Sequence, residues 1–139
     1  MANLSITPNP GISFKARFED EDVLVIDKPA RLVTQPGKGH EDDTLLNGLF
    51  AKYGDALQNL GRSRDFGLLH RLDRQTSGLL LVALRSRAYD ALREQFEARR
   101  VKKFYWAVAS KAPKKPSGVI KRPLLEEVGH KKTARIAAS

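Results

Sequence analysis

Apolar and polar positions change rhythm several times along the chain, and each rhythm predicts a different element. Residues 1–12 are polar, carry two prolines and a glycine, and read as a flexible lead-in. Phe14 to Phe18 alternates apolar with polar side chains, the period of a short strand. The acidic run Glu19, Asp20, Glu21, Asp22 reads as a hairpin turn into Val23, Leu24, Val25, Ile26, a β-branched apolar stretch typical of a buried strand. Lys28-Pro29 ends that strand, because proline restricts the residue before it and removes a ladder donor. Residues 35–43 form a loop with glycine and proline. Asp43 then offers an N-cap for a helix near residues 44–53, with Leu45, Leu46, Leu49 and Phe50 on one face.

Residues 54–66 read as a polar loop with two glycines and two arginines. Leu68 to Leu72 is short and extended, and Gly78 to Leu84 is apolar enough for a central strand. Ser86 caps a second helix that reaches about Arg100, with an inner stripe of Ala88, Tyr89, Leu92 and Phe96. Arg99 and Arg100 suit the negative end of its dipole. Lys103, Tyr105, Ala107 and Ala109 then alternate with Phe104, Trp106 and Val108, which predicts another strand. A basic, proline-rich loop follows at residues 111–117, with weaker strand signals at Val119-Ile120 and from Thr133 to Ile136. No internal repeat interrupts the pattern. Strands and helices without regular βαβ alternation predict an α+β fold with a mixed, largely antiparallel sheet and flanking helices.

Composition narrows the classes. At 139 residues, 41% hydrophobic and 29% charged, the chain is sized and balanced for one globular domain and is wrong for disorder. No apolar run approaches the roughly 20 residues of a membrane span, and the first residues lack the pattern of a secretory leader. The absence of cysteine excludes a disulfide scaffold, Cys-ligated zinc or iron–sulfur, and thiol catalysis, and is compatible with a reducing cytoplasm. His40, His70 and His130 show no ligand spacing, so no metal is expected, and Gly37-Lys38-Gly39 lacks the context of a phosphate loop.

Charge is distributed unevenly. Residues 1–60 hold 6 Lys and Arg against 9 Asp and Glu, whereas residues 61–139 hold 19 against 7, within a total of +9. A basic back half attracts polyanions, and nucleic acid is the commonest of these; a well-solvated basic surface is the plainer alternative.

The densest chemistry lies in Leu68-Leu69-His70-Arg71-Leu72-Asp73-Arg74-Gln75-Thr76-Ser77-Gly78 and the apolar run after it. An apolar segment enters, a charged loop follows and an apolar strand leaves, so rigid supports hold the loop. Asp73 stands between Arg71 and Arg74. Nearby guanidinium groups favour the ionised carboxylate that a nucleophile must supply; an Asx-type turn or an exposed ion pair is the bland use of the same residue.

The run HRLDRQTSGLLLVA resembles the active-site motif H-R-L-D-x-x-T-S-G-L-L-x-x-A of the RluA/RluD-type RNA pseudouridine synthases, with every fixed position matched. EDVLVIDKPARLVTQPG is similar to that family's early D-x-x-L-x-V-x-K-P-x-G-L-x-x-x-P segment, with Arg31 where glycine is usual. RVKKFYWAVAS is similar to its V-x-K-x-Y-x-A segment, with Ser110 where glycine often stands. The three segments cover roughly residues 18–110 in the family's order.

The resemblance implies isomerisation of specific uridines to pseudouridine in RNA, rRNA or tRNA, without redox cofactor, metal or nucleoside triphosphate. It makes Asp73 the catalytic carboxylate, acting either by attack at C1′ or by abstraction of the 2′ proton. Tyr105 matches an active-site tyrosine packed against the uracil; from pattern alone it is a half-buried strand residue. Arg71 matches an arginine that enters the RNA, while His70, Arg74 and Lys103 complete the expected RNA-binding set. The uridine must leave its stack to reach Asp73. The resemblance implies a cytoplasmic, RNA-directed enzyme on a partial pseudouridine synthase-like catalytic domain over residues 13–139, with no S4-type RNA-binding domain. The family's later Gly-Arg-x-H-Q-I-R-type stretch has no counterpart, which leaves a second reading: a basic RNA-binding module on the same fold that does not catalyse.

Overall fold

The computed structural model describes residues 4–127 and 133–136 and divides into two compact units, Met1–Lys103 and Phe104–Ser139.

In the first unit, β1 (Lys15–Glu19), β2 (Val23–Lys28) and β3 (Gly78–Ala83) form an antiparallel sheet in the order β1-β2-β3. Asp20 closes the first hairpin: its carboxylate accepts the backbone N–H groups of Asp22 and Val23, both at 2.8 Å. Those N–H groups hold its pKa below the usual carboxylate value. Strand period 2 sends Leu24, Ile26 and Lys28 of β2 to the inner face, opposite Val82, Leu80 and Gly78 of β3. The inner face packs with α1 (Leu45–Leu60) and α2 (Ser86–Glu97) around one core that includes Leu45, Leu49, Leu57, Phe66, Leu69 and Tyr89.

Several expectations are corrected. Thr44, not Asp43, caps α1: it forms a reciprocal capping box with Asn47, whose side chain also donates to the carbonyl oxygens of Thr7 and Glu41. The helix does not stop near residue 53. It kinks at Tyr53 and continues, because Leu57 and Leu60 can reach the core only from a further helical turn. Residues 4–12 are no loose lead-in: Leu4 and Ile6 pack on the core, and Asn9 N–H donates to Asn47 O at 2.9 Å. Gly48 permits this approach, since a Cβ there would lie 2.8 Å from the Ile12 side chain. β3 ends the named sheet, but Leu68 bridges Val82 on its other edge, so the strand is flanked on both sides as a central strand is. Helix α2 starts at Ser86 with Arg85 at the N-cap and no side-chain cap, and Ala88, Tyr89, Leu92 and Phe96 form its inner stripe as expected. It ends at Glu97, where Arg99 N–H to Phe96 O and Arg100 N–H to Gln95 O make a Schellman stop with Arg99 left-handed.

The link to β3 is tight. Asp65, Phe66 and Gly67 all have positive φ (46°, 50° and 88°). A Cβ on Gly67 would sit 2.3 Å from Ala83 O, so only glycine fits.

In the second unit, β4 (Leu124–Glu127) pairs antiparallel with β5 (Thr133–Ile136), in agreement with the strand signal at Thr133. The strand expected over residues 103–109 does not form, nor does one at Val119-Ile120. Phe104, Trp106 and Val108 are exposed instead. Alternation marks a segment able to be a strand, but a strand exists only with a ladder partner, and residues 103–109 have none among the described residues.

Candidate functional site

The loop of residues 70–77 leaves one edge of β3 and returns to its first residue, and three anchors fix it. The first is at its start. Leu69 N–H donates to Leu81 O at 3.4 Å, and Leu81 N–H donates to His70 Nε2 at 3.2 Å, so the imidazole takes the place of a ladder carbonyl. The ring stacks on Phe96 of α2, with centroids 5.3 Å apart. Burial pushes the pKa of His70 down, and the Lys103 ammonium adds to that shift. A neutral ring with Nε2 as acceptor fits both facts.

The second anchor is Thr34, itself buried. Its hydroxyl donates to Leu72 O at 2.6 Å and accepts Leu72 N–H at 3.3 Å. Val33 and Thr34 also cap α1, accepting Leu45 N–H and Leu46 N–H at 2.8 and 3.0 Å. The third anchor is the bond from Arg31 N–H to Arg74 O at 2.7 Å. Between these anchors Asp73 opens a tight turn in which Thr76 N–H donates to Asp73 O at 3.0 Å. The consequence is a carboxylate on an exposed turn whose flanking residue, Leu72, is buried.

Lys28 was missed as a site residue because its place before proline reads as a strand end. The signal was nevertheless present: the period that buries Leu24 and Ile26 also points Lys28 inward. Its side chain is fully buried, and Nζ donates to Pro29 O at 2.9 Å and Leu32 O at 2.7 Å. Burial lowers its pKa, while the charge of Asp73 acts in the opposite sense. A buried ammonium thus lies within electrostatic reach of the exposed carboxylate.

Arg71, Asp73 and Arg74 are exposed, and His70 is half-buried. Lys103 is exposed and close enough to shift His70. Tyr105 belongs to the second unit, where it is exposed in the unpaired segment. Two grooves adjoin the loop. One of about 220 Å³ is lined by Gln35, Asp65, Leu69, His70, Arg71 and Arg93. The other, about 420 Å³, is lined by Phe14, Lys15, Asp27, Lys28, Pro29 and Ser77 among others. Among the described residues no group of His, Asp and Glu could hold a metal ion. His130 lies outside the described residues. No helix of the described residues is long and apolar enough to cross a membrane.

Comparison with known proteins places this loop in context. A sequence model of the RNA pseudouridylate synthase family matches residues 22–138. A ribosomal large subunit pseudouridine synthase D of Pseudomonas aeruginosa is 44% identical over 97 residues, 70% of this chain and 29% of that protein. The protein of the same name in Neisseria meningitidis serogroup B is 42% identical over 108 residues, 78% of this chain and 28% of its own length. An uncharacterized RNA pseudouridine synthase of Synechocystis is 36% identical over 107 residues, 77% of this chain and 32% of its length. All of these are RNA pseudouridine synthases. The chain belongs to the RNA pseudouridylate synthase family, and its three-stranded antiparallel sheet with helices is part of that family's α+β domain. It spans about a third of the length of the curated relatives it matches.

Proposed function

We propose that this chain carries the Asp73 part of an enzyme that isomerises uridine to pseudouridine in RNA, with the Asp73 carboxylate acting at the ribose. The observation that carries this reading is the mounting of Asp73: an exposed acid on a turn pinned at three points, Leu72 and Arg74 to the segment of residues 31–34 and His70 to β3. A carboxylate held on rigid supports loses little freedom when it meets a sugar carbon. Isomerisation consumes no co-reactant. The C1′–N1 bond breaks, the base turns, C1′–C5 forms, the C5 proton leaves and N1 regains a proton. The two considered routes, attack at C1′ and removal of the 2′ proton, both start from the ionised acid.

Arg71 and Arg74, exposed on either side of Asp73, are proposed to hold the RNA around the extruded uridine. Lys103 contributes positive charge on the same side as His70. His70, proposed as part of the RNA-binding set, acts through the loop: its ring spends Nε2 on β3, so it positions Arg71 and Asp73. Tyr105 is proposed to pack against the uracil once its segment has a sheet partner. The names of the relatives favour large-subunit rRNA as substrate, with tRNA the second candidate and the cytoplasm as the setting.

The exposed, unpaired segment bearing Tyr105 supports the second reading, in which this chain binds RNA without turnover. RNA carrying 5-tritiated uridine separates them. Release of tritium that Asp73→Asn abolishes, with binding retained, establishes the isomerase. Binding without release by a longer chain that includes these residues establishes the module; these 139 residues alone are expected to release little or no tritium.

A further inference from the structure

Arg31 has φ of 68°, the left-handed region that side chains other than glycine enter at a cost. The other non-glycine residues with positive φ have local reasons: Asp65 and Phe66 form the turn into Gly67, and Arg99 closes the helix stop of α2. At residue 31 the fold uses the backbone alone, through Arg31 N–H to Arg74 O, and a glycine would make the same bond. The side chain is exposed and makes no hydrogen bond or ion pair among the described residues. The fold therefore does not call for an arginine here, and tolerates it against the backbone preference.

Its surroundings say what the side chain is for. Arg17, Arg64, Arg85, Arg87, Arg93 and Arg100 each pair with a carboxylate. Among the described residues Arg62, Arg99 and Arg122 are also unpaired, each apart from the others in the sequence, whereas Arg31, Arg71 and Arg74 are unpaired together at one loop although Asp73 stands in it, and a backbone bond joins Arg31 to Arg74. Two exposed arginines carried by hydrogen-bonded backbone neighbours can converge on one anion, and a phosphate diester suits their forked donors. We infer that Arg31 is a further RNA-backbone contact of this site, gripping with Arg74 a phosphate of the strand that carries the target uridine. The inference rests on the proposed RNA-directed function, but it concerns binding and not the chemical step.

Arg31→Gly removes the charge and relieves the backbone, so function and stability should move in opposite directions. The probe is a fluorescein-labelled RNA hairpin with uridine in its loop, titrated by anisotropy across a range of salt. Arg31→Gly should weaken binding by about 3- to 10-fold and reduce the log–log salt slope by about 1, with a thermal midpoint no lower than that of the parent chain. Arg31→Lys should keep the parent slope. Equal affinity and slope for the parent and Arg31→Gly overturn the inference, as does failure of the parent chain to bind the hairpin. The same slope loss in Arg31→Lys as in Arg31→Gly also overturns it. If the Arg31 effect appears while a longer chain that includes these residues fails to release tritium, the isomerase reading falls alone; if release occurs and the effect is absent, the Arg31 assignment falls alone.

Discussion

One hydroxyl, Thr34 Oγ1, both donates to Leu72 O at 2.6 Å and accepts Leu72 N–H at 3.3 Å, so a single side chain satisfies both backbone groups of the residue before Asp73. Thr34 belongs to the segment that caps α1, and Leu72 belongs to the motif loop 38 residues later. The bond transmits the rigidity of the helix to the position of the carboxylate.

Removing that hydroxyl should loosen the loop without emptying the core. Thr34→Val leaves a buried N–H and a buried carbonyl at Leu72 unpaired, at a cost of about 2 kcal/mol. Chemical denaturation should show this as a lower midpoint with an unchanged slope. Hydrogen exchange at Leu72 should rise more than in β2.

Lys28→Met tests the buried ammonium. The substitution keeps an unbranched side chain but strands the carbonyls of Pro29 and Leu32, a loss of about 2 kcal/mol by thermal unfolding. In a chain that turns over, it should lower kcat more than it raises KM, because Lys28 is buried away from solvent with its charge within electrostatic reach of Asp73.

At Gly67 the sterics leave no room for compromise. Gly67→Ala places a methyl group 2.3 Å from Ala83 O at a φ of 88°. The expected cost is about 3 kcal/mol or more. Circular dichroism melting checks it, and a melt within a degree of the parent would rule out the turn as drawn.

His70 makes stability depend on pH, with a definite sign. Its folded pKa lies below the ordinary histidine value of 6.5, so the unfolded chain takes up this proton first as pH falls. The contribution of the neutral ring is therefore complete above 6.5 and is lost as pH drops from there toward the folded pKa. Protonation also removes the acceptor used by Leu81 N–H. Unfolding midpoints should fall across that window in the parent chain. His70→Gln, which keeps an acceptor and cannot titrate, should flatten this part of the profile.

Much of the architecture is legible in local pattern, as β1, β2, β3, the start of α1 and the stripe of α2 illustrate. Each is a short stretch set by its local pattern, and in all but β1, which stays exposed, that pattern decides which side chains turn inward. The pattern failed where a remote contact supplied the decision. Residues 54–60 look polar, yet they continue α1 because Leu57 and Leu60 find the core. Residues 103–109 alternate well, yet no partner strand meets them among the described residues.

The site divides in the same way. The chain by itself determined the motif around Asp73, the family, and the basic character of the second half, because these reside in residue identity and order. Tertiary structure decided that Lys28 lies buried within reach of Asp73, that His70 turns inward to β3 and Phe96, and that Arg31 stands beside Arg74. Those relationships join residues remote in sequence, and the register of β2 on β3, the pairing of residues 68–70 along β3, the packing of α2 and the docking of residues 29–34 bring them together. Identity determines which chemistry is available, while packing determines which groups it meets.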